Sequence, residues 1–549
     1  MKWWGWGEES VEFTLADKPD LAPFIARELG LDIERPTASP VGFDQLRIAD
    51  PKLPDALRRE LDRAVGAEFV SVDRLDRVVH ARGKSLRDLI RQRRGELPRV
   101  PDVIVRPGSE DEVAAVLAAA VACDAVVIPF GGGSSISGSL EAPESELRPV
   151  VSVDLARLDR VLEIDRDSRL ARVQAGVFGP SLEEQLGARG YTFGHFPDSF
   201  THSTLGGWIA TRSSGMQSDR YGDIADLTRA VRVVTPSGML MTRAVPAAST
   251  GPSVREMVLG SEGRLGIITE ATVQVRPIPE RRLILGYVFP TFADGVATMR
   301  EIAASECSVS VTRVSDANET RFSFAMRIRP TLADRLQSGA LRLFLQHRRG
   351  YDLREMCLAF VGYEGSAGRV ARERRAVGRL IARRGGVCIG PSPGALYDQK
   401  KFEIPYIRDF LLDRGAAGDV AETAMPWSQA MDVYDAVGAA GHSAFKRLGV
   451  RGYLMCHLSH SYPAGACLYF TFAFNPTAAG EMLAEYDVVK GAIQQTFVDN
   501  GATLSHHHAV GTEHAPWLEQ DISGPGVAML RALFDGTDPG RHLNPGKIT

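Results

Sequence analysis

Three consecutive glycines, Gly131-Gly132-Gly133, stand where the apolar run Ala125-Val126-Val127-Ile128 ends, with Ser134 and Ser135 just beyond. A chain leaving a strand through three glycines can take positive φ and gather several N–H groups into one concavity, a shape that suits a pyrophosphate. No Gly-Lys-Ser/Thr closes the loop, so it is not a Walker A motif, and the glycines do not follow the G-x-G-x-x-G spacing of a Rossmann unit. For this segment in isolation, a glycine-rich surface turn is the competing reading. Upstream, Val103-Ile104-Val105 reads as a strand, and Ser109 with Glu112 makes a capping box for a helix over Val113 to Ala122. Strand, capped helix, strand and glycine loop fit one βαβ unit of roughly 30 residues.

Three more segments follow. They are Pro197-Asp198-Ser199-Phe200-Thr201-His202-Ser203-Thr204-Leu205-Gly206-Gly207, then Thr211-Arg212-Ser213-Ser214-Gly215, then Gly260-Ser261-Glu262-Gly263-Arg264-Leu265-Gly266-Ile267-Ile268. In this order the segments resemble the FAD-binding domain of the vanillyl-alcohol oxidase/p-cresol methylhydroxylase superfamily. Within it the chain is similar to the alkyldihydroxyacetonephosphate synthase family of ether-lipid enzymes. That likeness extends to Trp4-Gly5-Trp6-Gly7, Tyr406-Ile407-Arg408-Asp409, the run from Tyr462 to Phe470, and Leu504-Ser505-His506-His507-His508.

The resemblance implies FAD, and no His follows the glycine loop to tether it, so a non-covalent cofactor is expected. Its diphosphate would lie on Pro129, Phe130, Gly131, Gly132, Gly133, Ser134 and Ser135. Asp198, Ser203, Thr204, Thr211, Arg212, Ser213, Ser214 and the run Glu262, Gly263, Arg264, Leu265, Gly266, Ile267, Ile268 would complete the cofactor site. Tight structural turns are the alternative for the individual glycines.

At 549 residues the chain exceeds the size at which one core keeps growing, so several domains are expected. The expected fold is α+β, in four parts. A helical N-terminal region covers 1–100, a two-subdomain FAD-binding domain 101–278, an α+β substrate-binding cap 279–500, and a C-terminal segment 501–549 returns to the flavin domain. In the cap, strands are expected over Leu283–Phe289, Leu358–Tyr363 and Tyr469–Phe474, and helices over Phe292–Ser305, Arg369–Arg384 and Gly480–Asn500. A net charge of −4 argues against a nucleic-acid partner. Six scattered cysteines without C-x-x-C pairs argue for a reducing compartment and against zinc or a disulfide framework. No uncharged run reaches membrane-spanning length. The ending Gly546-Lys547-Ile548-Thr549 is not of the S-K-L type of the peroxisomal eukaryotic members of the family, so the resemblance implies a cytoplasmic, bacterial relative; a homodimer is expected separately.

Alternation along Cys467-Leu468-Tyr469-Phe470-Thr471-Phe472 puts Cys467, Tyr469 and Thr471 on one face of a strand. An ordinary phenol is a poor acid or base near neutrality, although cationic neighbours or a flavin could lower it. By resemblance Tyr469 is the catalytic acid/base for the departing carboxylate, and Arg408, a residue type suited to bidentate anion recognition, lies by the substrate. Arg313 matches a further family arginine, and His195 a family histidine near the flavin, although Phe196 replaces its usual acidic neighbour. Three adjacent histidines cannot converge on one point, so no metal is expected. One or two of His506, His507 and His508 are expected to enter the pocket as phosphate donors or proton carriers. Cys456 to Ser461 departs from the animal enzymes, and His457 and His460 are read as replacements for a lost cation or as marks of a changed substrate.

The resemblance implies exchange of the acyl group of acyl-dihydroxyacetone phosphate for a long-chain alcohol, through an adduct at flavin N5 and without net redox. The alternative is an FAD-linked dehydrogenase or oxidase of a 2-hydroxy acid or related alcohol, which fold cannot distinguish. Two stretches mixing basic and apolar residues, 327–349 and 74–99, are read as points of peripheral membrane contact, with a solvated helix as the alternative for each.

Overall fold

The computed structural model describes residues 2–328 and 339–549. The glycine loop leaves a four-stranded sheet in the order Val70–Ser71, Val103–Val105, Val150–Asp154, Val126–Phe130, whose last three strands run parallel. Val103, Ile104, Val105, Val126, Val127, Val150, Val151 and Val153 are all fully buried. Such unbroken β-branched runs are what a parallel sheet covered on both faces demands. The Asp55–Val65 and Glu110–Ala122 helices share one core on this sheet, with Leu57 and Leu61 packed among Val113, Val116 and Leu117. The expected helical N-terminal region therefore supplies both a helix and an edge strand to this subdomain. Ser109 caps the Glu110–Ala122 helix, accepting from the Glu112 N–H at 3.1 Å. Glu112 reaches back to the Gly108 N–H at 2.6 Å instead of to Ser109, so the reciprocal box does not close.

The second flavin subdomain is a five-stranded antiparallel sheet in the order Val161–Asp165, Leu170–Gln174, Ile267–Gln274, Thr228–Thr235, Gly238–Met241. The Gly179–Gly187 and Leu205–Thr211 helices share its apolar core through Leu182, Leu186, Leu205 and Ile209.

The cap is a seven-stranded antiparallel sheet, in the order Val387–Gly390, Arg281–Phe289, Cys357–Gly365, Val311–Ser315, Arg451–Ser461, Gly465–Asn475, Ala417–Pro426. Leu468, Phe470, Phe472 and Phe474 pack into one large core with the Ala430–Leu448 and Met482–Asp499 helices, while Tyr469 and Thr471 face a cavity. The helices Phe292–Ala303 and Ala367–Arg383 cover the same core. Observed elements lie within a few residues of those expected from the hydrophobic pattern.

The last residues close the molecule against the flavin sheet. Val127 donates to the His542 carbonyl at 2.6 Å and accepts from the Asn544 N–H at 2.9 Å, so the tail pairs with the free edge of the Val126–Phe130 strand. The Asn544 amide donates to the Ser139 and Glu262 carbonyls, and Lys547 Nζ to the Glu141 carbonyl.

The stretch 74–99 is not a surface helix face. Arg77 donates to the Pro101 and Ala49 carbonyls, Arg82 pairs with Asp88 and Glu141, and Arg99 pairs with Asp102, so its arginines tie segments of the fold together. Of the stretch 327–349, residues 329–338 lie outside the described residues. Among the described residues no helix is long and apolar enough to cross a membrane.

Candidate active site

The glycine loop and the open face of the cap sheet line one cavity of about 970 Å³. Pro129, Phe130 and Gly131 to Ser135 form part of its wall. The N–H groups from Gly131 to Ser135 donate to no protein acceptor among the described residues, and Gly133 takes φ +69°. A Cβ on Gly132 would lie 1.9 Å from the His202 carbonyl oxygen, so a side chain there displaces backbone. A row of free amides beside the Ser134 and Ser135 hydroxyls is a donor set that fits a diphosphate.

The neighbouring motifs divide between cavity and framework. Asp198, Ser203, Thr204, Thr211, Ser213, Ser214, Gly263, Gly266 and Ile268 line the cavity. Ser203 accepts from Trp208 Nε1 at 2.7 Å, and Thr204 caps the Leu205–Thr211 helix through the Gly207 N–H. Four residues expected at the cofactor do not line it. Arg212 sits in a left-handed C-cap conformation and pairs with Glu256, while Arg264 donates to the Lys547 carbonyl and lies over the Phe534 ring. Leu265 packs with Leu504, Leu518 and Phe534, and Ile267 belongs to the core of the parallel subdomain. Arg212 ends a helix, Arg264 and Leu265 lie in a turn, and along the strand from Ile267 neighbouring side chains point to opposite sides, so a contiguous motif does not place every side chain on a ligand.

Glu262 lines the cavity, but its carboxylate is engaged elsewhere. It accepts from Ser139 Oγ at 2.5 Å and from the Val510 and Gly511 N–H groups at 2.9 Å. Burial raises the carboxyl above its ordinary value, against the lowering effect of these donors. His195 also departs from expectation. It lies behind the cavity wall, its Nε2 3.3 Å from Ser213 Oγ and its ring against Trp208, and burial pushes it down to about 3. A neutral histidine outside the cavity does not hold a substrate anion.

The chemistry of the cap gathers around one cross-strand row. Glu422 and His457 lie directly opposite Tyr469 on its two neighbouring strands, which places all three on one face. The Tyr469 ring stacks on His457 at 4.9 Å and on His507 at 6.0 Å, and meets His508 edge-on at 5.6 Å. Burial first, then the Asp198 carboxylate, pushes the phenol well above its usual value despite the nearby Arg408. The resting hydroxyl is therefore a proton donor, and cationic neighbours do not make it a base. Arg408, on the Ile407–Leu412 helix, lines the cavity, donates to the Lys84 carbonyl at 2.6 Å and stands 3.8 Å from Asp419.

Arg313 also lines the cavity, but Glu319 holds it at 2.8 Å, and His457 Nδ1 lies 3.0 Å from the same carboxylate. Burial raises the Glu319 carboxyl, yet His457 and Arg313 outweigh it and bring it down to about 2. His457 itself is lowered by burial and by Arg313, and burial holds His460 well below its ordinary value. His460 bonds Ser218 Oγ at 2.7 Å and stacks on His506.

The histidine run is shaped by Glu422, a residue that sequence reasoning passes over. Its buried carboxylate accepts from Ser505 Oγ at 2.7 Å and from the His506, His507 and His508 N–H groups at 2.6, 3.1 and 3.1 Å. Burial opposes the charge, but the three histidines and Ser505 hold the carboxyl well below its ordinary range. With its backbone pinned, the run turns His507 and His508 to the cavity and His506 away, onto the Tyr462 hydroxyl at 2.6 Å. His506 is thus not in contact with the cavity. Glu422, Cys467, His506 and His507 bring ligand-type atoms within 4.8 Å of one another, but both Glu422 oxygens already accept hydrogen bonds. The available signal was the pair of acids Asp419 and Glu422 in a strand otherwise free of charge, since a buried carboxylate requires donors.

A glycine loop fit for a diphosphate, facing an antiparallel cap, defines an FAD-binding oxidase-type flavoprotein. Residues 101–243 match the FAD binding domain family, and residues 278–548 match the C-terminal domain of FAD linked oxidases. Alkyldihydroxyacetonephosphate synthase of Dictyostelium discoideum is 36% identical over all of this chain and 93% of its own. A solved alkyldihydroxyacetonephosphate synthase structure superposes with a TM-score of 0.86 at 35% identity, over 100% of this chain and 98% of that one. The structure of p-cresol methylhydroxylase with substrate bound shares the fold, with a TM-score of 0.66 at 15% identity over 91% and 98% of the two chains. The chain belongs to the alkyldihydroxyacetonephosphate synthase family, is a flavin-dependent enzyme, and binds FAD.

Two predictions follow from this geometry. Purified Gly132→Ala protein should show little or no flavin absorbance, because its Cβ meets the His202 carbonyl; stoichiometric flavin would contradict the loop assignment. His195 has a folded value near 3 against about 6.5 unfolded, so the unfolded chain binds the extra proton below pH ~6.5 and folding stability falls with pH down to about 3. Between about pH 7 and pH 5 the wild type should lose about 2 kcal/mol more than His195→Gln in denaturant titrations; equal losses would contradict a buried neutral imidazole.

Proposed function

We propose that this enzyme exchanges the acyl group of acyl-dihydroxyacetone phosphate for a long-chain alcohol, making the ether bond of ether lipids without net redox. The observation that carries the reading is Tyr469, a protonated phenol stacked between His457 and His507 in the same cavity as the glycine loop. FAD, when bound along that loop, supplies the electrophilic centre at which the ester carbon is activated for exchange. Tyr469 then has the protonation state needed to give its proton to the departing carboxylate. Arg408 lines the same space and is suited to hold the phosphate or the leaving carboxylate. Arg313 has part of its charge balanced by Glu319, which suits it to orient a neighbouring group.

The cavity also extends past Leu21, Phe24, Ile25, Leu29 and Phe322, an apolar wall that suits two long chains and exceeds the needs of a small hydroxy acid. Beside it, exposed Leu343 and Phe344 neighbour Arg342 and Arg348, which supports a peripheral contact with an anionic bilayer.

With palmitoyl-dihydroxyacetone phosphate and labelled hexadecanol, the wild type should form labelled ether product. Tyr469→Phe should lower kcat by about 100-fold or more while retaining full flavin content. A variant keeping near-wild-type turnover would remove Tyr469 from its role. A wild type that makes no ether but reduces a dye with a D-2-hydroxy acid would replace the exchange reading by a dehydrogenase.

A further inference from the structure

A buried hydrogen-bonded chain leads out of the cavity to a second, smaller cleft. Asp419, on the Ala417–Pro426 strand, lines the cavity, and its Oδ2 lies 2.9 Å from the hydroxyl of Tyr486. Tyr486, on the Met482–Asp499 helix, is completely buried, and the same hydroxyl lies 2.7 Å from Glu513 Oε1. Glu513 Oε2 receives Arg87 Nε at 3.1 Å, and Glu513 and Arg87 line a cleft of about 350 Å³ with Asp487 and Lys490.

A phenol has one proton and cannot donate to two carboxylates at once. Two short bonds to one hydroxyl therefore require one further proton in the chain, carried by a carboxyl that donates to the Tyr486 oxygen. Burial opposes charge on Glu513, but Arg87 and Lys490 outweigh it and hold that carboxyl below its ordinary range. Burial and the two carboxylates keep the Tyr486 phenol protonated. The further proton belongs to this chain, whose cavity end is Asp419; the other Asp419 oxygen lies 3.8 Å from Arg408.

We propose that Asp419, Tyr486 and Glu513 form a proton relay between the active cavity and the surface cleft. In one transfer the Asp419 O–H bond breaks and its proton joins the Tyr486 oxygen. The Tyr486 proton passes to Glu513, and Asp419 is left ionised. The ionised Asp419 can take a proton from the cavity, and Glu513 can release one to water in the cleft. No redox change and no other reactant are involved. The inference relies on the exchange reading for the reaction that the relay serves, because an alcohol that becomes an ether must lose its hydroxyl proton.

The test combines infrared spectroscopy with kinetics on the FAD-loaded enzyme. Near neutral pH the wild type should show the carbonyl band of a buried protonated carboxyl, which Asp419→Asn abolishes and Tyr486→Phe shifts. Tyr486→Phe should lower kcat for ether formation by roughly tenfold or more, with KM and flavin content unchanged and the solvent isotope effect altered. Absence of the band in the wild type overturns the relay whatever the substrate. Tyr486→Phe turnover within twofold of wild type, with an unchanged isotope effect, also overturns it. A wild type that makes no ether but shows the Asp419-dependent band sinks the exchange reading and supports the shared proton.

Discussion

The active cavity depends on two buried carboxylates that grip one loop from opposite domains. Glu422, in the cap, accepts the N–H groups of His506, His507 and His508, and Glu262, in the flavin domain, accepts those of Val510 and Gly511. The segment between them has no regular hydrogen-bond ladder of its own, so its shape comes from these bonds. Charge-assisted bonds to backbone amides are stronger than neutral ones, and a carboxylate with its oxygens occupied tolerates burial that an unpartnered one would not. Glu422 pins the backbone from which His507 and His508 face the cavity and His506 faces Tyr462. Without Glu262 the loop would lose its tie to the domain that carries the glycines.

The same grip places three functional layers in register. The cap strands carry Glu422, Tyr469 and His457 across one sheet face, and the gripped loop brings His507 and His508 onto the Tyr469 ring. Beyond the loop, Thr512 and Glu513 donate their N–H groups to the Ser137 carbonyl, close to the glycine loop. Cofactor cradle, acid and histidines are thereby held on one continuous framework of strands and buried anions. The C-terminal tail adds to it, since Asn544 bonds the carbonyls of both Ser139 and Glu262.

Much of this was legible in the sequence where local pattern and chemistry coincide. The glycine loop, the cap strands, and the inward faces of Tyr469 and Thr471 follow from turn chemistry and from a period of two. The flavin motifs were read too broadly, because Arg264, Leu265 and Ile267 share a contiguous signature but turn their side chains into the framework. Long-range partners were not legible. Glu422 meets its histidine loop some eighty residues later in the chain, and the Asp55–Val65 helix joins a sheet three of whose four strands lie beyond residue 100. His195, His457 and His460 show the same limit, because residue type suggests charge while burial holds the imidazoles low.

The central claim is that the cavity exchanges an acyl group for an alcohol without net redox. The most direct measurement is the flavin absorbance of the purified enzyme under anaerobic conditions, with palmitoyl-dihydroxyacetone phosphate in one cuvette and D-2-hydroxy acids in another. The account predicts loss of the oxidised band with the acyl substrate and its recovery on addition of hexadecanol, with no electron acceptor present. Bleaching by a hydroxy acid, with recovery only on addition of an electron acceptor, would contradict it.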